Sequence, residues 1–246
     1  MKPIVIIAAV PQETELLEKM LEYSIRVKTG GLEYVEGSIG NLLVKICVGG
    51  VGKIHAAAAT AVMIDRCQPQ LVINTGCAGA YSGSGLSSGD LVVACEEVLA
   101  DDGVIVTEGW KDLEFMKLST GAQGGQACFN TLPLSVDASE RAMQLADYYG
   151  IFLMRGRCAT VSTCSGTLER GAELAERWNV VAESMEGAAV AQVCLRYAVD
   201  CLEIRGISNL VEDRDMKNWD MPRAVEAAQR FVLKYIEEMN QPDLLP

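Results

Sequence analysis

Carboxylates are the main residues of this chain that could carry out chemistry, because the 246-residue sequence holds a single histidine, His55. One histidine nearly excludes mechanisms built on histidine general bases or histidine-rich metal sites. Three acids, Glu13, Glu183 and Glu186, stand where a strand is expected to pass into a helix. Such carboxylates can accept protons or stabilise positive charge. The helix dipole also favours acids in a first turn, so position alone leaves both interpretations open.

One basic residue, Arg205, lies inside the apolar segment 201–207. A charge in a buried strand requires a carboxylate partner, so we expect Arg205 to face an acid. The nine cysteines contain no CxxC pair, which fits neither a disulfide framework nor a zinc site. We therefore expect most of them to be small buried residues and expect no metal or organic cofactor.

The glycine-rich segment 49–53 invites comparison with nucleotide-binding loops. A P-loop would require glycine where Cys47 stands and serine or threonine where Ile54 stands. The dinucleotide fingerprint GxGxxG also fails here. The segment is therefore predicted to be a tight turn that leads into the N-terminus of a helix.

Composition and charge exclude several classes of protein. Half of the residues are hydrophobic and 22% are charged, which is typical of a globular chain with a large core. The net charge of −12 would repel nucleic acid and anionic lipid. The apolar runs 4–10 and 56–64 are too short for a membrane helix, and the first lacks the proportions of a signal peptide. We expect a soluble, cytoplasmic protein with no nucleic-acid or membrane partner.

Strand and helix patterns alternate along most of the chain and predict one α/β domain over residues 1–246, with a mixed, twisted sheet flanked by helices. Residues 76–80 follow the apolar strand 71–74, at a carboxyl end where open α/β sheets bind ligands. Residues 101–133 are polar and glycine-rich, and could form a lid or a contact between subunits. The predicted strands are 4–9, 32–37, 42–48, 71–74, 90–95, 158–164, 180–182 and 201–207, with a hairpin at Gly40-Asn41. The predicted helices are 13–20, 53–65, 168–178, 185–197 and 222–239.

Together these motifs resemble the nucleoside phosphorylase and nucleosidase superfamily, whose members cleave a base from ribose. The resemblance covers nearly the whole chain, and the motifs agree in order and spacing. They are residues 6–9 with Glu13, then 49–53, 74–79, 183–187 and 205–209. The resemblance implies a nucleoside phosphorylase-like fold, a purine nucleoside as the substrate and a homo-oligomeric assembly in which a neighbour often completes the pocket.

The candidate site favours hydrolysis over phosphorolysis. A phosphate site usually combines arginine side chains with glycine-rich backbone and a hydroxyl donor. The turn at Glu13 has no arginine, and Cys77 stands where phosphate-binding relatives place a hydroxyl residue. The Glu13 carboxylate would repel phosphate but could accept a proton from water. A carboxylate near the ribosyl cation of the transition state, such as Glu186, would stabilise its positive charge.

The resemblance also assigns roles to individual residues. It implies that Glu13 orients or deprotonates the attacking water, that Glu186 holds the ribose hydroxyls and that Met185 packs on the sugar. Arg205 is expected to shape the water site with Glu13, whereas Glu183 is expected to be structural. The expected substrate-binding residues are Cys77, Ala78, Gly79, Gly166, Thr167, Met185 and Arg205.

Asn209 is the residue that bears most directly on the base. Adenine-cleaving nucleosidases of the superfamily place an aspartate at the matching position to protonate N7, but an amide has no acidic proton. Its NH2 group can donate to O6 and N7 of a 6-oxopurine, whose leaving anion spreads charge onto O6. Hypoxanthine is therefore expected to fit better than adenine, although asparagine also pairs with adenine in DNA.

Two segments resemble the futalosine hydrolase branch of the superfamily, namely 161–167 and 207–215 followed by Trp219. That resemblance implies cleavage of futalosine to hypoxanthine and dehypoxanthine futalosine in a pathway to menaquinone. Three alternatives remain open: a 5′-methylthioadenosine/S-adenosylhomocysteine nucleosidase, a purine nucleoside phosphorylase, and a non-catalytic nucleoside-binding module. Related adenine nucleosidases place an aromatic residue where Gly166 falls, so the residue that stacks on the base is unassigned.

Overall fold

A ten-stranded mixed β-sheet forms the centre of the protein in a computed structural model that describes residues 2–240. The strands of this sheet are β1 (Ile4–Ala8), β2 (Glu22–Thr29), β3 (Leu32–Ile39), β4 (Leu42–Val48), β5 (Leu71–Tyr81), β6 (Leu91–Leu99), β11 (Thr131–Pro133), β12 (Leu153–Thr160), β13 (Ala182–Ser184) and β14 (Asp200–Val211). Four short strands form two separate hairpins, β7 (Val104–Val106) with β8 (Gly109–Lys111) and β9 (Gly121–Gln123) with β10 (Gln126–Cys128).

Six α-helices accompany the sheet in the described part of the chain. They are α1 (Glu15–Met20), α2 (Lys53–Cys67), α3 (Val136–Tyr149), α4 (Leu168–Trp178), α5 (Gly187–Tyr197) and α6 (Met221–Met239). Short 3₁₀ turns precede α1 and α6. Within residues 2–240, no helix is both long enough and apolar enough to cross a lipid bilayer.

Helices cover both faces of the sheet. Alternate residues of β1 point to opposite faces, as a strand requires. Val5 and Ile7 pack in a core cluster with side chains of α2 and α5, whereas Ile4 and Ile6 pack with side chains of α1, α3 and α6. Both faces of β1 are therefore buried, which explains why its sequence is a continuous apolar run rather than an alternating one. The predicted α/β fold with a mixed sheet flanked by helices is confirmed.

Five strands are hydrogen-bonded in a closed circuit. β6 pairs with β12, β12 with β13, β13 with β5, β5 with β14, and β14 with β6 again. β1, β4, β3 and β2 extend the sheet outward from β5. The circuit brings the ends of β5, β13 and β14 together, and these strands carry most of the motifs of the candidate site.

The prediction that residues 76–80 form a loop after a strand ending at Asn74 was wrong. β5 continues to Tyr81, and β14 pairs with it from Leu71 to Tyr81. The small residues in its second half were interpreted as a turn, but pairing with β14 holds them extended. β6 and β14 also run beyond their predicted ends, to Leu99 and Val211. The added residues of β6 pair with β11 and β12, and those of β14 pair with β5.

Several smaller expectations also need correction. The strand expected at 158–164 lies at Leu153–Thr160, where Arg155 and Arg157 concealed the apolar pattern. The strand expected at 180–182 lies at Ala182–Ser184, so α5 begins at Gly187 rather than at residue 185. Neither β2 nor α3 was predicted. The hairpin at Gly40-Asn41 is confirmed, and the polar, glycine-rich residues 101–133 form two small hairpins and the strand β11.

Candidate active site

A cavity of about 270 Å³ lies where β5, β13 and β14 end. This volume is slightly below the range of about 300–1,000 Å³ that is usual for small-molecule sites. The cavity wall includes seven of the ten predicted site residues: Glu13, Cys77, Ala78, Gly79, Met185, Glu186 and Asn209. Arg205 lies directly behind the wall, in contact with Glu186. The chain therefore brings acids and an amide together from distant parts of the sequence.

The Glu13 carboxylate is bound by a ring of three backbone N–H groups. Its Oε2 atom accepts hydrogen bonds from the N–H groups of Ala9 and Val10, at 2.9 and 3.2 Å, and its Oε1 atom accepts one from Cys77, at 3.0 Å. The 3₁₀ turn Pro11–Glu13 directs the side chain back towards these donors. A carboxylate has about four acceptor positions, so three bonds leave one position for a further donor such as water.

Gly76 allows the Glu13 carboxylate and the Arg205 guanidinium to lie close to the backbone of β5. A Cβ at position 76 would collide with Oε1 of Glu13 and would lie 2.8 Å from Nη1 of Arg205. Both charged groups therefore approach the backbone of β5 at a place that only glycine leaves open. The glycine-rich motif on β5 is thus a point of close approach to side chains of the protein itself.

Arg205 has the carboxylate partners expected for a charge in a buried strand. Its Nε atom donates to Oε1 of Glu203 at 2.7 Å, and its Nη1 atom lies 3.6 Å from Oε2 of Glu186. Burial alone would lower the pKa of Arg205, but the charges of Glu203, Glu186 and Glu13 raise it. Arg205 is therefore a permanent cation.

Glu186 is the N-cap residue of α5, but its side chain does not cap that helix. Instead, its Oε1 atom accepts a hydrogen bond of 2.9 Å from the N–H of Gly52, at the start of α2. Burial raises the pKa of Glu186, and the nearby charge of Arg205 partly offsets that rise. The segment 49–53 is the predicted turn into a helix, and it also holds a carboxylate of the cavity.

Asn209 is fixed by its neighbours. The Ser208 hydroxyl lies 2.7 Å from Oδ1 of Asn209, to which it donates, and Nδ2 of Asn209 donates to the Leu210 carbonyl at 2.8 Å. One of the two amide hydrogens is thus used within the chain and the other is left for a ligand. The support from Ser208 was not predicted, although a hydroxyl residue directly before the asparagine is a signal for it in the sequence.

Gly166 and Thr167, which we expected to bind substrate, do not line the cavity. The Thr167 side chain caps α4 by accepting a hydrogen bond from the N–H of Arg170. Their neighbours Cys164 and Ser165 line the cavity instead. Thr167 instead caps the start of α4, which directs its side chain to that helix.

Glu183 supports the cavity wall from β13. Its Oε1 atom accepts a hydrogen bond from the N–H of Ser165, and its Oε2 atom accepts one from the Tyr81 hydroxyl, both at 2.8 Å. Burial and the charge of Glu183 raise the pKa of Tyr81, which keeps this phenol protonated and able to donate. These bonds agree with the structural role expected for Glu183.

Two residues of the cavity mouth were missed as ligand contacts. The Arg214 guanidinium lies 4.9 Å from the centre of the Trp219 ring, and both residues line the cavity. Stacking of arginine on tryptophan is a favourable cation–π contact. Both residues belong to the part of the sequence, 207–215 with Trp219, that resembles the futalosine hydrolase branch.

The thiol of Cys77 is a neutral lining group. Burial and the charge of Glu13 raise its pKa to about 12. Residues 2–240 contain no group of three or more His, Cys, Asp or Glu side chains arranged to hold a metal ion. The polar groups that line this cavity include the carboxylates of Glu13, Glu183 and Glu186 and the amide of Asn209.

The chain belongs to the Phosphorylase superfamily, whose sequence profile matches residues 3–237. The resemblance noted from the motifs is confirmed at this level.

Relatives within the superfamily are similar over nearly their whole length. A 5′-methylthioadenosine/S-adenosylhomocysteine nucleosidase of Bacillus thuringiensis is 28% identical over 240 residues, which is 96% of this chain and 99% of the relative. The crystal structure of a nucleosidase with that name from Neisseria meningitidis, in complex with methylthio-immucillin-A, is 27% identical, with a TM-score of 0.82 over 97% of this chain and 100% of that one. A futalosine hydrolase mutant of Helicobacter pylori is 25% identical, with a TM-score of 0.83 over 97% and 100%.

Proposed function

We propose that the protein is an N-ribosyl hydrolase, with futalosine as its substrate and hypoxanthine and dehypoxanthine futalosine as its products, in menaquinone biosynthesis. The observation that carries the hydrolytic part is the ring of N–H groups around Glu13. A phosphorylase needs such donors for phosphate. Here the carboxylate of Glu13 already occupies them and adds a negative charge at the same place.

Water bound at the free acceptor position of Glu13 would be the nucleophile. Arg205 can help to orient it, since its Nη2 atom is buried and has no acceptor within residues 2–240. Glu13 would accept the proton as water attacks the anomeric carbon. General-base assistance of this kind contributes about 10²–10⁴-fold to rates.

Glu186 would stabilise the sugar. Its carboxylate can accept hydrogen bonds from ribose hydroxyls, and its negative charge would stabilise the oxocarbenium-like transition state. Met185 lies beside it on the cavity wall, where it can pack on the sugar.

The base preference rests on Asn209. Because Oδ1 already accepts from Ser208, the amide offers a ligand mainly its remaining N–H. Donation to N7 or O6 of a 6-oxopurine suits this state, and hypoxanthine as the leaving group needs less protonation than adenine. The similarity of this chain to a futalosine hydrolase supports the same substrate.

A 5′-methylthioadenosine/S-adenosylhomocysteine nucleosidase is the second candidate function. The curated relatives at 28% identity carry that name, and so does the similar Neisseria structure. Both candidates require the same water site. They differ in the base, and the residue at position 209 is the observation that favours futalosine.

A substrate panel separates the candidates. The protein is incubated with futalosine, inosine and methylthioadenosine, each with and without phosphate, and the released base and sugar are identified by liquid chromatography and mass spectrometry. We expect hypoxanthine from futalosine at a rate independent of phosphate. Release of ribose 1-phosphate would refute hydrolysis, faster release of adenine would establish the second candidate, and no release from any nucleoside would leave a binding module.

In the same panel, Asn209→Asp should slow hypoxanthine release and admit adenine nucleosides, and an unaltered preference would contradict the role of Asn209.

A further inference from the structure

A second group of acids lies behind the candidate active site, where β6, β12 and β14 meet the start of α5. Glu97 of β6 and Glu203 of β14 are fully buried. A Cβ at position 187 would stand less than 3 Å from a carboxyl oxygen of each. Gly187 therefore provides the space in which the two carboxyl groups meet.

Each carboxyl group has one oxygen bound to a donor and one without. The Thr160 hydroxyl donates to Oε2 of Glu97 at 2.6 Å, and Nε of Arg205 donates to Oε1 of Glu203 at 2.7 Å. Oε1 of Glu97 and Oε2 of Glu203 receive no donor from the described part of the chain. A single proton between these two oxygens satisfies both, and it removes the repulsion of two buried charges.

The proton belongs on Glu97. Burial and the neighbouring charge of Glu203 raise the pKa of Glu97 well above its usual range. Glu203 instead forms an ion pair with the guanidinium of Arg205, at 2.7 Å. The pair is thus a neutral acid that donates to a carboxylate.

We propose that Glu97 is a positioning residue, which donates a hydrogen bond to Glu203 and so holds Arg205 against Glu186 in the active site. Arg205 reaches forward from this anchor, with Nη1 3.5 Å from the Cys77 carbonyl and 3.6 Å from Glu186. The proposal rests on the proposed function for its effect on catalysis, but not for the state of the acid pair.

The same network fixes the start of α5. The N–H of Ala188 donates to the Thr160 hydroxyl at 2.7 Å, and that hydroxyl donates to Glu97. Glu186 directly precedes this helix. Two routes therefore lead from Glu97 to Glu186, one through Arg205 and one through the helix start.

Glu97 is the acid of this network that we expect to lose a proton as pH rises past its raised pKa. The side chains that face it are Cys158 and Thr160 of β12, and Cys201, Glu203 and Arg205 of β14, while α5 presents Gly187 and the Ala188 N–H. Burial raises the pKa of the Cys158 thiol well above its usual range, and the Cys194 thiol and burial do the same for Cys201, so both stay neutral. Loss of the proton from Glu97 would place two like charges at Gly187.

The sign of the stability effect follows from the raised pKa. The folded chain keeps the proton of Glu97 at pH values where the unfolded chain has lost it. Stability therefore falls as pH rises from the ordinary glutamate pKa of 4.5 towards the raised pKa of the folded state. Activity should fall as pH passes the raised pKa of Glu97. Glu203 then loses the hydrogen bond from Glu97 and no longer holds Arg205 in place.

Three variants test the proposal. Glu97→Gln keeps a donor to Glu203 and an acceptor for Thr160 but cannot titrate, whereas Glu97→Met has similar length and no donor. Glu96→Gln is the matched control, because Glu96 is adjacent on β6 and pairs with Arg157 outside the network. kcat, KM and melting temperature are measured from about pH 5 to about pH 10, and infrared spectra report the carbonyl stretch of a protonated carboxyl group.

We expect Glu97→Met to lower kcat about tenfold or more, equivalent to at least ~1.4 kcal/mol, with little change in KM. Glu97→Gln should keep kcat near that of the wild type, abolish the loss of activity and stability that the wild type shows as pH rises, and lose the infrared band of the wild type. Glu96→Gln should match the wild type throughout.

Equal loss of kcat in both Glu97 variants, or a wild-type pH profile in Glu97→Gln, would overturn the proposal. If Glu97→Met does not fold, the Glu97→Gln profile still decides. If the protein cleaves no nucleoside, the infrared band and the pH dependence of melting decide, so a failure of the proposed function is distinguished from a failure of this inference.

Discussion

At Glu186, burial disfavours the ionised carboxylate that the proposed chemistry requires. In the proposed reaction its carboxylate must be ionised to stabilise a sugar cation, yet burial raises its pKa. The Gly52 N–H and the charge of Arg205 favour the ionised form and limit that rise. The network around Arg205 therefore limits how far burial raises the pKa of Glu186.

Glu186→Gln should lower kcat by about 10²–10³-fold or more, the usual effect of removing one group that stabilises charge in the transition state. The amide keeps an acceptor for Gly52, so the loss of folding stability should be modest. In the wild type, activity should rise with pH above the ordinary glutamate pKa of 4.5, as the ionised form appears. Stability contributed by this group should fall over the same window, because the folded state binds the proton more tightly.

Rate profiles and melting curves of both proteins over pH measure these opposite trends. The exposed residue Glu176 of α4, changed to glutamine, serves as the control. Unchanged turnover in Glu186→Gln would return Glu186 to a purely structural role.

At the scale of elements, the loop between β14 and α6 is ordered by a contact between Arg214 and Trp219. Arg214 stacks on Trp219, and no carboxylate within residues 2–240 lies within 4 Å of its guanidinium group. The flanking Asp215 instead caps the 3₁₀ turn by accepting a hydrogen bond from the Lys217 N–H. Stacking on Trp219 is therefore the contact by which Arg214 can order the loop that follows Asn209.

Arg214→Ala should lower turnover, because the loop loses this contact and the cavity mouth loses its wall. We expect a decrease of about tenfold, since a cation–π contact of this kind contributes about 0.5–2 kcal/mol. Steady-state kinetics measure it, with Lys217→Ala as a control that removes a cation from the same loop. No change in kinetics or melting in Arg214→Ala would exclude the loop from the mechanism.

The sequence predicted elements best where periodicity alone decides. α4 was predicted at its observed bounds, and the hairpin of β3 and β4 follows from its turn residues. The prediction for β5 was too short because Gly76 and its neighbours resemble a turn. Only the pairing with β14 shows that these residues continue the strand. The same limit applies to the site. The motifs located Glu13, Glu186 and Asn209, but the donors that hold Glu13, and the contact of Glu97 with Glu203, depend on strands that are distant in the sequence.

At the scale of the whole molecule, the net charge has the same sign as the charge of the site. The chain carries a net charge of −12, and its cavity is lined by Glu13, Glu183 and Glu186 with Arg214 as the only lining cation within residues 2–240. Both features disfavour the binding of an anion such as phosphate in this cavity. The field of the whole protein thus agrees with the local argument against phosphate.

We propose that the protein forms a homo-oligomer through residues 101–133, which could otherwise serve as a lid. Ile105 and Phe115 in this segment are 83% and 60% exposed, so both side chains are free to pack against a second copy of the chain. Ile105→Asp combined with Phe115→Asp should lower the molar mass measured by size-exclusion chromatography with light scattering. Tyr148→Asp, at an exposed aromatic residue of α3, is the control and should keep the wild-type mass. An unchanged mass with a raised KM would indicate a lid instead.

The carboxylate seated among the N–H groups of Ala9, Val10 and Cys77 also bears on the direction of metabolic flux. Phosphorolysis conserves the energy of the glycosidic bond in a sugar phosphate and can run backwards. Cleavage by solvent dissipates that energy, and the abundance of water makes resynthesis negligible. By excluding the reversible co-substrate, one side chain would turn a salvage-type equilibrium into a committed step.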